Sequence, residues 1–432
     1  MKEMVTLTMK EQRRVMVINE VERGGVRGRE AADALGISVR HLRRLMAAYR
    51  KEGAVALAHG NRGRKPANAI EEGVRRCVVD LARSTYLGFN QQHFTEFLAE
   101  REGICLSRSS VRNILLGVGM RSPRKRRPPR HCSRRDRYPK EGMLLQIDGS
   151  PHDWLQGRGP RMSLIGAIDD ATGKVPYALF REQEDSHGYF LLLKEIVSRQ
   201  GIPQAIYHDR HSIFEVPANE RENQTIQEQL AGKPVLTQFG RLMAELGITP
   251  ISALSPQAKG RIERLWGTLQ DRLVNELRLA GVSTLEEANR FLPSFLDRYN
   301  ARFAVPPEQA GSAYCSTQGI EMETFFCFKY ERVVGADNVV RFNGQRLQIL
   351  PSPDRLSYAR CSVEVHQQLD TTLKVYYQGR YLDTCPAPVE ATQSRKMIAA
   401  TALDTATKPR QVTRPAAPNH PWRRWVYHAN LK

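Results

Sequence analysis

The stretch RSPRKRRPPRHCSRRDRYPK, residues 121–140, places the strongest constraint on how this chain can fold. It holds ten basic residues, one acidic residue and four prolines. Prolines at this density prevent a continuous helix, and repulsion between like charges favours an extended tether. The sequence therefore predicts separate domains on the two sides of this tether, and 432 residues are enough for two to four of them.

The net charge of the chain is concentrated in its first third. Residues 1–140 hold 31 Lys and Arg against 14 Asp and Glu, whereas the remaining residues hold 34 against 32. A merely solubilising surface would not need this asymmetry, so the pattern indicates a nucleic-acid partner. Within the tether we expect four cations to follow DNA phosphates: Arg124, Lys125, Arg126 and Arg127.

Residues 1–58 predict a first all-α helix-turn-helix domain, with a generic helical hairpin as the alternative. Gly36 supplies a turn between two short helices, and Ser38 is suited to cap a second, basic helix. In this motif the second helix lies in the major groove, so its polar residues are the expected DNA contacts: Arg40, His41, Arg43 and Arg44. The basic linker 59–68 adds Arg62 and Arg64, which suit a minor groove.

Residues 69–120 repeat this pattern and predict a second helix-turn-helix domain, with plain core packing as the alternative. Two helices are separated at Gly103, and Ser107 is suited to cap the second. Its apolar residues are predicted to face inward: Val111, Ile114 and Leu115. We expect Arg108 and Arg112 on this helix to contact DNA.

Residues 141–305 change to an α/β pattern whose order predicts an RNase H-like core. The predicted strands are 143–148, 162–169, 175–180, a strand ending at Asp209, and 249–252. The predicted helices are 186–199, 238–246, one from 256, and 283–300. Residues 170–173 read as a hairpin turn, and 211–235 as a polar insertion. In the last helix we expect a capping box of Ser283 and Glu286 and a kink at Pro293.

Residues 325–400 show a two-residue periodicity that predicts a small β-barrel. Hairpin turns are expected at Asn343-Gly344 and at Gln378-Gly379. The Pro-rich tail 401–432 has the composition of a disordered segment.

Several other classes of protein are disfavoured. The seven cysteines form no C-x-x-C pair, so neither a zinc module nor a disulfide framework is indicated. We find no apolar leader, no membrane-length apolar run and no phosphate-binding G-x-x-x-x-G-K-[ST] motif. We therefore expect a cytoplasmic protein that needs no membrane and no nucleotide cofactor.

Three carboxylates fall where neighbouring strands and a crossing helix can bring them together: Asp148, Asp209 and Glu263. Converging carboxylates repel one another, so their convergence implies a cation, and oxygen ligands suit Mg²⁺ or Mn²⁺. Two such ions would serve phosphodiester chemistry. Around Glu263, the cations expected to hold DNA phosphates are Lys259, Arg261 and Arg264.

The region from about 140 to 305 resembles the integrase catalytic core shared by DDE transposases and retroviral integrases, and is most similar to ISNCY-type bacterial insertion-sequence transposases. The likeness rests on LLQIDGS, IYHDRHS and SPQAKGRIERLWGTLQ, which contain Asp148, Asp209 and Glu263, and on Pro256, Gln257 and Gly260. It implies that the three acids are catalytic and carry the metals, and that the helix-turn-helix modules read terminal inverted repeats. The polar insertion 211–235 lengthens the spacing between the last two acids.

The expected function is therefore cleavage of transposon ends and joining of their 3′-hydroxyls to double-stranded target DNA. Two ends must act together, which predicts a homo-oligomer assembled on DNA. The alternatives are a catalytically inactive DNA-binding regulator and an RNase H-type nuclease.

Overall fold

The computed structural model describes residues 6–58, 69–123, 135–216, 236–253, 259–353 and 355–387. The chain divides into two compact units, Met1–Pro129 and Arg130–Lys432. Several predicted features lie outside the described residues: Arg62, Arg64, Arg124, Lys125, Arg126, Arg127, Pro256, Gln257, most of the insertion 211–235 and the tail 401–432.

The first unit begins with three helices that match the predicted helix-turn-helix. They are α1 (Met9–Glu22), α2 (Gly28–Leu35) and α3 (Val39–Glu52), followed by a 3-10 turn at Gly53–Leu57. Gly36 ends α2 with φ of 63°, and the Ser38 hydroxyl accepts the His41 amide at 3.2 Å, so the predicted turn and cap are confirmed. The helices enclose a small core: Ile18, Ala31, Ala32, Leu42 and Leu57.

Three further helices complete the first unit: α4 (Glu72–Arg83), α5 (Gln91–Arg101) and α6 (Arg108–Gly117). Ser107 caps α6 by accepting the amide of Ser110, as predicted. The predicted inward residues of α6 are buried: Val111, Ile114 and Leu115. They share this unit with aromatic rings that make edge and tilted contacts: Tyr86, Phe89, Phe94 and Phe97.

The second unit is built on a mixed five-stranded sheet of order β3-β2-β1-β4-β5. The strands are β1 (Leu144–His152), β2 (Met162–Asp169), β3 (Ala178–Arg181), β4 (Ala205–His208) and β5 (Thr249–Ser252). The first three pair antiparallel, while β4 pairs parallel to both β1 and β5. This mixed sheet, with its helices, is consistent with the predicted integrase-like core.

Helices cover both faces of this sheet. Helices α7 (Ser186–Gln200) and α8 (Gln238–Glu245) share one apolar core with Leu145 and Ile147 of β1. Helices α9 (Gly260–Leu279) and α10 (Leu285–Phe303) share the other with alternate residues of β2, Leu164 and Ile168. Because side chains alternate along a strand, Gln146 and Asp148 of β1 face α9.

Two local predictions in this unit were wrong. Strand β1 continues to His152, so Asp148 lies inside the strand and does not close it. The capping box of α10 uses Thr284 and Glu287, one residue later than predicted. The helix includes Pro293, and the kink expected there stays a prediction. The Glu287 carboxylate also accepts the Ser283 amide at 2.9 Å, which ties down the residue that had been expected to cap the helix.

A short helix, α11 (Met322–Phe325), leads into the C-terminal strands. These are β6 (Cys327–Val333), β7 (Val339–Phe342), β8 (Gln345–Ile349), β9 (Ser362–Gln368), β10 (Leu373–Tyr377), β11 (Arg380–Leu382) and β12 (Thr384–Pro386). The hairpins at Asn343-Gly344 and Gln378-Gly379 are present, with positive φ at all four residues.

The predicted closure of these strands into a barrel is not confirmed. The described strands form two sheets, of order β11-β10-β9-β6 and β12-β8-β7. Within the described residues no ladder joins the outer strands of one sheet to those of the other, so the all-β part is an open pair of sheets around a shared apolar core. Phe328 of β6 stacks on Phe190 of α7 at 4.5 Å between ring centroids, which attaches these strands to the α/β core.

None of the described helices has the combination of length and apolar character needed to span a bilayer.

Candidate active site

Asp148 lies on the face of the sheet that α9 covers. Three alternate residues of β1 bond to residues of α9 that are one turn apart: Gln146 to Ile262, Asp148 to Trp266, and Ser150 to Gln270. Two residues of strand advance about 6.6 Å and four residues of helix about 6 Å, so the two repeats stay in register. This match fixes how α9 lies along the strand that carries Asp148.

Asp209 follows the last residue of β4, the parallel neighbour of β1. Gln146 pairs with Tyr207, so the same register two residues further brings Asp209 beside Asp148. The ring of His208 is buried, and its Nδ1 lies 2.6 Å from the Asp209 carbonyl oxygen. Burial lowers the pKa of His208, which favours a neutral imidazole at this position.

The two carboxylates converge on one positive charge. Lys259 Nζ lies 2.8 Å from Asp148 Oδ1 and 3.4 Å from Asp209 Oδ2. The Lys259 side chain is only 10% exposed. The other oxygen of Asp148 accepts the Trp266 indole N–H at 3.0 Å. The rest of the Trp266 side chain belongs to the apolar core. The Lys259 ammonium group therefore occupies the position of a cation between two carboxylates.

The third predicted acid does not join this pair. Glu263 is exposed on the first turn of α9, one turn after Lys259. Among the described residues no three acidic, His or Cys side chains are close enough to hold a metal ion together. The structure therefore brings two of the three predicted acids together.

A further acid at the site, Glu184, was not predicted. Its Oε1 accepts a hydrogen bond from the buried Tyr189 hydroxyl at 2.5 Å. Burial raises the pKa of Glu184, and the negative charges of Asp148 and Asp209 raise it further. In the sequence Glu184 immediately precedes Asp185, which caps α7. Acidic residues are common at the start of a helix because they interact favourably with the helix dipole, so the sequence offered no reason to assign Glu184 to the site.

Sequence relatives among known proteins identify the family of this chain. A family model described as a helix-turn-helix domain matches residues 13–66. Transposase y4bF of Sinorhizobium fredii is 34% identical over 383 residues, which cover 88% of this chain and 81% of that protein. The chain belongs to the insertion-sequence transposases.

A second relative has the same activity in its name. The transposase for insertion sequence IS1202 of Streptococcus pneumoniae is 33% identical over 329 residues, covering 68% of this chain and 69% of that protein. The solved structures that resemble this transposase include a simian T-cell lymphotropic virus intasome with a PP2A regulatory subunit. It has a TM-score of 0.28 and 15% identity, and covers 72% of this chain and 100% of that chain.

The HTLV-2 integrase catalytic core with magnesium has a TM-score of 0.24 and 17% identity, and covers 35% of this chain and 81% of that chain. These TM-scores are low, so the family assignment rests on the two relatives.

The predicted DNA-contacting cations of the transposase fall into two groups. Those on α3, α6 and the outer side of α9 are exposed: Arg40, His41, Arg43, Arg44, Arg108, Arg112 and Arg264. Two others are engaged within the protein. Lys259 pairs with the two aspartates, and Arg261 Nε donates to the fully buried Asp170 at 2.7 Å.

Gly149 is expected to tolerate no side chain. A Cβ there would lie 2.4 Å from the Glu184 carboxyl group, which Tyr189 holds in place. We expect Gly149→Ala to lower the free energy of unfolding by about 1–3 kcal/mol, because the added methyl overpacks a half-buried site. Denaturant unfolding measures this change. Gly267→Ala on α9 is the control, since its Cβ would meet nothing within 4 Å and should be neutral or stabilising. Equal stability of Gly149→Ala and wild type would contradict the close approach of Glu184.

Proposed function

We propose that this transposase is of the DDE type: it binds terminal inverted repeats, cleaves the transposon ends and joins their 3′-hydroxyls to target DNA by metal-dependent phosphoryl transfer. The observation that carries this proposal is the convergence of Asp148 and Asp209 on one cation, the Lys259 ammonium. Two carboxylates at this distance from a single positive charge can offer oxygen ligands to a divalent ion.

The donor set fits Mg²⁺ or Mn²⁺, because it consists of carboxylate oxygens with no thiolate. Asp148 and Asp209 would hold the metal, and Glu263 would complete the set from the first turn of α9. When bound, two such ions supply activation of the attacking oxygen and neutralisation of charge on the phosphodiester.

The chain's own residues bind and position the DNA. Helices α3 and α6 have the exposed cations and capped N-termini expected of recognition helices, and each would enter a major groove. Arg264 is exposed on α9 and would hold a phosphate near the acids. Lys259, once released from the aspartates, would hold another. Strand transfer exchanges one phosphodiester for another, so no nucleotide cofactor is needed.

The predicted domain plan belongs to this proposal. It assigns residues 1–58 and 69–120 to the two DNA-binding domains, 59–68 and 121–140 to basic linkers, 141–305 to the catalytic core and 325–400 to the C-terminal β region, before the tail 401–432. A homo-oligomer on DNA, working in the bacterial cytoplasm, would bring two transposon ends together. The tether 121–140 would then let the N-terminal domains of one subunit bind an end that another subunit cleaves.

The test is an end-joining assay with purified wild-type protein. Linear DNA carrying the element's own ends, the same DNA with scrambled ends, and an RNA–DNA hybrid would be incubated with supercoiled plasmid and Mg²⁺, Mn²⁺ or EDTA. We expect joined products only with the element's ends and a divalent ion. Binding of the ends with no cleavage or joining would favour the inactive regulator, and cleavage confined to the hybrid would favour the RNase H-type nuclease.

A further inference from the structure

We propose that Asp170 is a positioning residue: its buried carboxylate fixes the first turn of α9, and through it the placement of Lys259 and Glu263 over the strand that carries Asp148. This inference rests on the proposed function for its catalytic meaning. Its structural part, the anchoring of α9, can be tested independently.

Asp170 is fully buried, and its carboxylate accepts four hydrogen bonds from the residues that the structure describes. Its Oδ1 accepts from Arg135 Nη2 at 2.5 Å, from Arg261 Nε at 2.7 Å and from Gln146 Nε2 at 2.9 Å. Its Oδ2 accepts from the Tyr138 amide at 3.0 Å. A hairpin turn needs none of these bonds, and the turn itself is held by Asp169, which accepts the amide and hydroxyl of Thr172. The carboxylate of Asp170 therefore serves something other than the turn.

Gln146 connects the Asp170 carboxylate to the backbone of α9 through two hydrogen bonds. The first four amides of a helix have no carbonyl partner within the helix, and the Ile262 amide is one of them. It donates to Gln146 Oε1 at 3.3 Å. A side-chain amide presents donors on one side and an acceptor on the other. Because the Asp170 carboxylate only accepts, it holds the Gln146 NH₂ toward itself and thereby turns the Gln146 oxygen toward Ile262.

Arg261 provides a second connection between Asp170 and α9. Its side chain is only 15% exposed, and it belongs to the first turn of the helix, between Lys259 and Glu263. The pairing with Asp170 thus sets the rotation of the turn from which Lys259 reaches the two aspartates. It also explains why Arg261 is oriented toward the protein core, although the sequence had suggested a DNA phosphate as its partner.

The Asp170 carboxylate also neutralises part of the positive charge of three guanidinium groups near the C-terminal end of the basic segment 121–140: Arg135, Arg137 and Arg261. Arg137 Nη1 donates to the Ala171 carbonyl at 2.9 Å, and Arg261 Nη2 to the Arg135 carbonyl at 3.4 Å. Burial and the nearby charge of Arg261 lower the pKa of Arg137, while Asp170 raises it. Without a negative charge at position 170, these guanidinium groups would repel one another and push the first turn of α9 outward.

The test compares Asp170→Asn with Glu276→Gln. Both changes convert a buried, Arg-paired carboxylate to an amide, but Glu276 lies in the fifth turn of α9, far from its start, and pairs with Arg298 of α10. Each variant would be examined by thermal unfolding, by hydrogen exchange of the peptide 259–266, and by single-turnover end joining with DNA already bound. We expect Asp170→Asn to exchange faster in this peptide and to join ends at least tenfold more slowly below its melting temperature. Glu276→Gln should melt lower, with wild-type exchange in 259–266 and a wild-type joining rate.

Gln146→Met provides a second variant should Asp170→Asn fail to fold. Gln146→Met should also exchange faster in the peptide 259–266 and join ends more slowly than wild type. The double variant, with Asp170→Asn and Gln146→Met together, should join ends no more slowly than the slower single variant, because both changes break one chain of contacts. Wild-type exchange in 259–266 for either folded variant, or a joining rate equal to that of Glu276→Gln, would overturn the positioning role. A wild-type protein that joins no ends would instead refute the proposed function, and the exchange measurement would still decide whether Asp170 holds the helix.

Discussion

Asp148→Asn, Asp209→Asn and Glu263→Gln are each expected to slow end joining by about 10³-fold or more while DNA binding by the N-terminal modules is retained. Each change removes one of the proposed negatively charged metal ligands. The expected loss of transition-state stabilisation is several kcal/mol, and every ~1.4 kcal/mol corresponds to about tenfold in rate. Single-turnover joining with saturating Mg²⁺ or Mn²⁺, together with a binding assay on the element's ends, measures both quantities.

Asp153→Asn is the matched control for these variants. Asp153 lies five residues after Asp148, but its carboxylate accepts the Gly157 amide at 3.1 Å and is turned to a local loop. We expect near wild-type joining from this variant. Full activity of Glu263→Gln would remove Glu263 from the proposed catalytic set, and full activity of Asp148→Asn would refute the site as a whole.

Lys259→Met is expected to tighten the binding of a divalent ion by about tenfold and to weaken the binding of DNA at the core. In the structure the ammonium group is the counter-ion of Asp148 and Asp209, so a metal ion must displace it. Removing this competitor leaves two unneutralised carboxylates, which attract a cation more strongly. A tenfold change corresponds to ~1.4 kcal/mol, a moderate value for a charge that is mostly buried.

Calorimetric titration with Mn²⁺ in the absence of DNA measures this change directly. Arg264→Met removes a positive charge from the same helix, one turn further along, where the side chain is exposed. It should leave the metal affinity nearly unchanged, because an exposed charge is screened by solvent. A metal affinity of Lys259→Met equal to or weaker than that of wild type would mean that Lys259 does not compete for the aspartates.

Much of the fold was predictable because its signals are local. The capped helices α3 and α6 follow from Ser38 and Ser107, whose hydroxyls satisfy amides only three residues away. The hairpin at Asn343-Gly344 follows from two residues that accept positive φ. The strands of the mixed sheet follow from their apolar pattern, although β1 continued past Asp148 because its pairing with β2 extends to His152. Barrel closure depends on pairing between distant strands, and the two-residue periodicity behind the barrel prediction indicates strands without specifying which of them pair.

The sequence predicted which acidic and basic residues belong to the site, but it did not predict which of them contact one another. From the sequence alone, Asp148, Asp209 and Glu263 stood out as acids and Lys259 and Arg261 as cations near them. Their pairing was decided by contacts between residues about 50 to 120 positions apart, such as Lys259 with Asp209 and Trp266 with Asp148. Such contacts depend on the sheet register and on the rotation of α9. Local periodicity determines which residues form a helix or strand, but the side chain that each residue meets is set by the packing of whole elements against one another.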